Sequence, residues 1–268
     1  MFFTRLPWWR LRTVPKEAFE HVVDWWPLVG WLTGGVMAAV FCGASWLGFP
    51  PAVAALLSIA ARLLLTGALH EDGLADFCDG MGGGTSRART LSIMKDSHIG
   101  TYGVLGLLVC LGLLWASLSS VGQQVLSNKL WVAGTGLWND TFFTFHFSLI
   151  LLFDVAAKCA ASLITGQLPY ARTAEEAKNQ VVYVGRSLPD WLWHGVRCAL
   201  ALSLPLLLCV SGGLGAKVCL LLPVPFVVEL LLMSWMRRRL GGYTGDCCGA
   251  LFLLCELSLY VSSFVLLR

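Results

Sequence analysis

The 268-residue sequence predicts an all-α fold: a polytopic bundle of about seven transmembrane helices, forming one integral-membrane domain over 1–268, with the functional site on its cytoplasmic loops. Three observations predict it. The chain is 57% hydrophobic and 13% charged, with a mean hydropathy of +0.71, whereas a soluble globule carries about 25% charged residues. Apolar runs long enough to cross about 30 Å of hydrocarbon recur along its length. The basic residues between those runs fall mostly on one of two alternating sides. This composition excludes an ordinary soluble protein and a disordered tail. The net charge of +3 is too small and too dispersed to track nucleic-acid phosphates.

The opening MFFTRLPWWRLR has no apolar core with a small-residue cleavage site, so no signal peptide is expected. Spans are predicted near 28–47, 52–70, 101–121, 142–166, 190–212, 215–235 and 248–267. The fourth is interrupted by Asp154 and Lys158, an i, i+4 pair. Pro205, Pro223 and Pro225 are expected to kink the fifth and sixth helices. Trp25, Trp26, Trp31 and Trp46 bracket the first span and Trp191 and Trp193 open the fifth, as in a headgroup-level aromatic belt. Most of the ten cysteines lie inside apolar runs, with no paired C-x-x-C spacing, so they read as small hydrophobes and not as disulfides or zinc ligands.

Sidedness follows from Lys and Arg. Thirteen of the nineteen gather on one side of the seven-span scheme: Arg5, Arg10, Arg12 and Lys16, then Arg87, Arg89 and Lys95, then Arg172, Lys178 and Arg186, then Arg237 to Arg239. Only Lys129, Lys217 and Arg268 fall on the other. The positive-inside rule therefore places the N-terminus and the loops 71–100, 167–189 and 236–247 in the cytoplasm. Arg62, Arg197, Glu229 and Glu256 fall within spans, where charge needs a partner or a function.

The second span is expected to run straight into His70-Glu71-Asp72-Gly73-Leu74-Ala75-Asp76-Phe77-Cys78-Asp79-Gly80. On a helix, Asp72, Asp76 and Asp79 stand at i, i+4 and i+7, one face. Three like charges on one stripe repel unless something neutralises them, and Mg²⁺ does so while keeping positions open for phosphate. Gly82-Gly83-Gly84 then stops the helix. Asp96, in Met94-Lys95-Asp96-Ser97-His98-Ile99-Gly100, returns a fourth carboxylate to the same edge beside Arg87, Arg89 and Lys95. Asp246 adds a fifth, in the segment Gly241-Gly242-Tyr243-Thr244-Gly245-Asp246, whose glycines permit close approach of a ligand. Acids and bases gathered at one membrane surface read as a metal–phosphate site.

Together these residues resemble the cobalamin synthase family, adenosylcobinamide-GDP ribazoletransferase. The resemblance runs through Phe3-Thr4-Arg5-Leu6-Pro7, His70 to Gly80, Ile93 to Gly103, Tyr170-Ala171-Arg172, and Arg239 to Ala250 with Glu256. It implies a Mg²⁺-dependent enzyme of the bacterial inner membrane that joins adenosylcobinamide-GDP to α-ribazole, or its 5′-phosphate, and releases GMP. In that scheme Asp72, Asp76 and Asp79 hold Mg²⁺ against the pyrophosphate, with Asp76 central to catalysis. Asp96 is a fourth ligand or the general base. Arg5, Lys95, Arg172 and Arg239, with Asp246, are candidate contacts to phosphate or corrin side chains. The resemblance leaves open the lower-ligand base, the number of metal ions, a homo-oligomer, and docking of soluble enzymes of the pathway.

Two other classes compete. A CDP-alcohol phosphotransferase expects D-x-x-D-G-x-x-A-R, but Phe77-Cys78 follows Asp76. An ion-coupled transporter is suggested by Asp154, Lys158, Glu229 and Glu256. Such a protein places its acids near the midplane, whereas the aspartate cluster here is predicted at the edge.

Overall fold

The computed structural model describes residues 2–7, 10, 15–127, 140–173, 185–211 and 215–266. Arg12, Lys129, Lys178 and Arg268, which enter the sidedness argument, lie outside these residues, as do the predicted ends of the fifth and seventh spans. After two 3-10 turns (Lys16–Phe19 and Val22–Trp25), the chain forms α1 (Trp26–Trp46), α2 (Pro51–Thr66), α3 (Leu69–Gly83), α4 (Arg87–Lys95) and α5 (Thr101–Ser127). It continues through α6 (Asp140–Ser162), the short α7 (Ile164–Gln167), α8 (Leu188–Ser211), α9 (Pro223–Leu240) and α10 (Gly245–Leu266). The described residues hold no strand, only an isolated parallel bridge between Tyr170 and Tyr243.

Among the described residues six helical stretches are long and apolar enough to cross a membrane, and the count reaches seven if the bent pair α2 and α3 is taken as one span. The predicted second span is thereby corrected. At about 1.5 Å per residue, α2 is only about 24 Å long. It stops at Gly67, and α3 leaves at 90° to it. Gly67 (φ 68°) and Ala68 (φ 57°) are both left-handed, and the Ala68 N–H reaches back to the Leu63 carbonyl at 3.0 Å, the closure that ends a helix. The carboxylate segment is a separate helix, at 90° to the apolar α2.

The fourth span, interrupted by charge in sequence, is the centre of the bundle. α6 is buried along nearly its whole length and packs against α1, α8 and α10. α1 meets it through small residues: a Cβ on Gly34 would lie 2.8 Å from the Asp154 Cβ, and one on Gly30 would lie 2.8 Å from the Val155 Cγ2. Two glycines four apart let the helices touch at the backbone, the usual solution where lipid supplies no hydrophobic drive between helices. α10 packs on α3, α5, α6 and α9, and α2 on α1 and α5. Leu64, Leu108, Leu192, Leu207 and Leu231 stay exposed on α2, α5, α8 and α9, the surface that belongs to lipid.

Three further expectations change. Pro223 and Pro225 do not kink the sixth span; they occupy the first turn of α9, where a missing N–H leaves nothing unmade. Arg237, Arg238 and Arg239 form the last turn of that helix, ahead of the left-handed Gly241, so they oppose the negative end of its dipole instead of lying in a loop. Trp25, Trp46 and Trp193 are exposed as a belt requires, but Trp26 is buried. All ten cysteines are free thiols.

Candidate active site

Glu71 and Asp72, adjacent on the first turn of α3, have different surroundings. Glu71 is buried, its Oε1 3.9 Å from the Arg62 Nη2, while Asp72 is exposed and lines a cavity. Asp76, half-buried, follows one turn on, and Asp79 is buried at the end of that face. Asp79 is engaged: its Oδ2 accepts the Gly100 N–H at 2.7 Å and its Oδ1 the Gly103 N–H at 2.8 Å. A carboxylate at the head of α5 satisfies otherwise orphaned amides and faces the positive end of the helix dipole. Asp96 is exposed and accepts from the His98 side chain (2.7 Å) and backbone (3.0 Å). These hydrogen bonds hold its carboxyl below the usual carboxylate range. Its loop reaches the aspartate helix through Ile99, which shares an open cleft of about 610 Å³ with Asp72 and Arg5.

Three arginines stitch these segments together. The Arg87 Nε donates to the Leu240 carbonyl (2.6 Å) and its Nη2 to that of Ala171 (3.0 Å). The Arg172 Nη2 donates to the Leu91 carbonyl at 3.0 Å. The Arg239 Nη2 donates to the Gly84 carbonyl at 2.6 Å, closing the C-terminus of α3. Arg5 lies exposed over the α2–α3 break, where a Cβ on Gly67 would collide with its guanidinium. Lys95 is exposed at the end of α4.

Two close approaches then build the cavity. The Tyr243 N–H donates to the Pro169 carbonyl (3.0 Å) and the Ala171 N–H to the Tyr243 carbonyl (2.8 Å), and a Cβ on Gly242 would run into that Pro169 oxygen. This places the Tyr-Ala-Arg segment beside the Gly-Gly-Tyr-Thr turn, with the Arg172 Nη1 4.0 Å from the Asp246 Oδ2. α3 and α10 cross at Gly73 and Gly249: a Cβ on Gly73 would sit 3.0 Å from the Asp246 carbonyl oxygen, and one on Gly249 would sit 2.9 Å from that of His70. The result is a cavity of about 190 Å³ with Asp72, Tyr170, Arg172 and Asp246 on its wall. Tyr170 stays a neutral donor there, because burial pushes its pKa up to about 12.

Among the described residues, no three His, Cys, Asp or Glu side chains converge closely enough to hold an ion by themselves. Asp72 and Asp246 on one cavity wall fit a sparser arrangement, in which Mg²⁺ takes one or two carboxylates and completes its shell with phosphate and water.

The charges within the spans form a second cluster. Asp154 pairs with Lys158, and Thr33 donates to the Asp154 Oδ1 at 2.9 Å. Arg62 pairs with Glu256 and stands 3.9 Å from Asp154. Lys158 lies 3.9 Å over the Phe252 ring, and Arg197 lies 4.6 Å over that of Trp25. Three of the four residues that suggested a transporter thus bind one another or Arg62. Sequence reasoning missed Phe3, Trp26, His70 and Tyr170 as lining residues. Phe3, His70 and Tyr170 stand in the motifs that carry the family resemblance but have no role of their own there, and Trp26 reads in the sequence as part of an aromatic belt.

Comparison with known proteins gives a single direction. Residues 1–264 match the family described as cobalamin-5-phosphate synthase. The chain is 37% identical to an adenosylcobinamide-GDP ribazoletransferase of Leptothrix cholodnii, over 97% of this chain and 90% of that one. It is 36% identical to one of Shewanella amazonensis, over 97% and 90%, and 35% identical to one of Bradyrhizobium diazoefficiens, over 93% and 85%. No solved structure matches.

Proposed function

Because the chain belongs to the cobalamin-5-phosphate synthase family, an enzyme family of cobalamin synthesis, we propose that it joins adenosylcobinamide-GDP to α-ribazole or its 5′-phosphate. A ribazole hydroxyl oxygen attacks the phosphorus that carries the cobinamide. The bond to the GMP oxygen breaks, GMP leaves, and the hydroxyl proton passes to a base. The observation that carries this reading is the convergence of three distant segments, bearing Asp72, Arg172 and Asp246, on one cavity.

In this reading Asp72 and Asp246 hold Mg²⁺, with Asp76 one turn behind. The chemistry such an ion supplies is neutralisation of the charge that builds on the pyrophosphate as GMP departs. Arg172 orients the Asp246 carboxylate and adds positive charge beside it. Tyr170 donates a hydrogen bond from the wall. Asp79 acts on the site through α5, whose first turn it holds. Asp96 takes the proton; a carboxyl held below its usual range is a weak base, so its contribution is smaller than that of a base tuned near neutrality. Arg5 and Lys95 face solvent at the same end and attract the anionic substrate. The thirteen-to-three distribution of basic residues supports a site on the cytoplasmic face of the inner membrane.

The test is GMP release in liposomes supplied with adenosylcobinamide-GDP, α-ribazole and Mg²⁺. Asp72→Asn and Asp246→Asn are each expected to lower turnover on the order of 10²-fold or more, and EDTA to abolish it. Asp96→Asn is expected to lower turnover less. A folded wild-type protein that released no GMP would remove the reading.

A further inference from the structure

A groove of about 450 Å³ runs between the N-terminal segment, the two 3-10 turns and the head of α1. Nine of its ten lining side chains are apolar, Thr4 being the other. Its α1 wall is Trp25, Leu28, Val29 and Leu32, at i, i+3, i+4 and i+7, one stripe of a helix. That stripe lies at the start of the apolar span Val22–Trp46. Trp25 and Leu32 are exposed, so the protein does not close the groove, and in a bilayer this stripe meets lipid. Acyl chains are as apolar as the groove, so a chain gains no hydrophobic drive by entering it. Any preference for one lipid must come from charge.

Arg197 supplies that charge. Its guanidinium lies 4.6 Å over the ring of Trp25, the residue that also lines the groove. It sits on α8 between the exposed Val196 and Leu200, on a helix that itself qualifies as a span. Among the described residues no carboxylate pairs with it. Asp24, next in the chain to Trp25, is held by Arg186 at 2.7 Å, and Asp190, two turns earlier on α8, accepts from Ser187. A cation within a span calls for a counter-charge, and a planar guanidinium with one face on an aromatic ring keeps its edge for a phosphate. We propose that the groove and Arg197 form a site for one anionic phospholipid, its phosphate on the guanidinium and one acyl chain along the Trp25–Leu32 stripe. A zwitterionic lipid brings a cation of its own to the same place and gains less. Phe2 and Phe3 line both this groove and the 190 Å³ cavity, so the lipid backs the segment that walls that cavity. The site is independent of the reaction proposed above, since lipid binding is read without substrate.

The experiment is native mass spectrometry of the full-length protein in detergent, titrated with phosphatidylglycerol and with phosphatidylcholine of the same chains. Arg197→Gln is expected to weaken phosphatidylglycerol about fivefold, the worth of one basic residue near a headgroup, and to leave phosphatidylcholine unchanged. Arg238→Gln, at an exposed arginine on the last turn of α9, is expected to change neither. Ala18→Trp fills the groove from an exposed turn and is expected to weaken phosphatidylglycerol by a similar factor; it serves if Arg197→Gln does not fold. In the Ala18→Trp background, Arg197→Gln is expected to cost less than about twofold, because headgroup and chain bind as one ligand. Glycerol 3-phosphate, the anion without chains, is expected not to displace the lipid. Equal affinity of wild type for the two lipids would overturn the site, as would a loss in Arg197→Gln no larger than in Arg238→Gln. Displacement by glycerol 3-phosphate would replace the lipid with a free-phosphate site. A wild type that holds no phosphatidylglycerol and forms a dimer broken by Ala18→Trp would make the groove a contact between two copies and overturn the proposal.

Discussion

Asp79 has the spacing of a metal ligand and the contacts of a helix cap. Both of its carboxylate oxygens accept backbone N–H groups of the first turn of α5, and a Cβ on either Gly100 or Gly103 would collide with that carboxylate. Asp79→Ala leaves two amides without their acceptor and is expected to destabilise the protein by about 1.5–3 kcal/mol, read as a lower thermal midpoint in detergent micelles. Asp79→Asn keeps one strong acceptor and should fall between. A loss of activity with unchanged stability would instead mark Asp79 as a ligand. Asp72 stands two turns earlier on the same face, but it lines the cavity. Three aspartates with equal claims on the sequence thus have different tasks, because each faces a different neighbour.

At the scale of elements, the break between α2 and α3 decides where the site lies. Ala68 is the one non-glycine residue at positive φ among those described, a conformation that costs an L-residue roughly 1–2 kcal/mol. Ala68→Gly is expected to raise stability by about 0.5–1 kcal/mol, the relief being partly offset by the freer unfolded chain. Gly67→Ala, at φ 68° and beneath the Arg5 guanidinium, should lower it; equal effects of the two would show that the break is not held by these torsions. The α3–α10 crossing makes a second prediction. Gly73→Ala must push against the Asp246 backbone at 3.0–3.2 Å, and overpacking of this kind costs about 1–3 kcal/mol. Because it displaces Asp246 from Asp72, turnover is expected to fall more than stability does, as checked by GMP release beside thermal unfolding.

At the scale of the molecule, the buried charges hold the bundle together across α1, α2, α3, α6 and α10. Arg62 and Lys158 face three acids, Glu71, Asp154 and Glu256, with almost no exposure to solvent. Arg62→Met leaves Glu256 and Glu71 buried without their cation and is expected to cost about 3–5 kcal/mol. Arg62→Met with Glu256→Leu should recover part of that, since removing both members of a buried pair is cheaper than removing one. The same network binds α3 to the core, so the outer face of that helix is displayed on a rigid support. Orientation is tested separately. A membrane-impermeant maleimide should label Lys95→Cys in inverted vesicles but not in intact spheroplasts, and the reverse labelling would invert the assigned sidedness.

Six of the seven spans and the grouping of acidic and basic residues in a few loops were legible in the chain. These depend on local quantities: about 20 apolar residues make a span whatever they touch, and basic loops are retained by charge alone. The i, i+4, i+7 register of Asp72, Asp76 and Asp79 was legible for the same reason. What depends on contacts between distant segments was not. That Asp154 and Lys158 lie at the centre of the bundle follows from Thr33, Arg62 and Phe252 on other helices. That α3 turns through 90° follows from two successive left-handed residues, which no apolar count records. That Trp26 and His70 line a cavity, with Asp246 brought to the same cavity as Asp72, follows from Gly73 meeting Gly249 and Tyr170 bridging Tyr243. A residue's type sets the chemistry it offers, but which side chains face one another is settled by backbone approaches between segments up to about 180 residues apart, an energy that belongs to the packed bundle and to no single stretch of it.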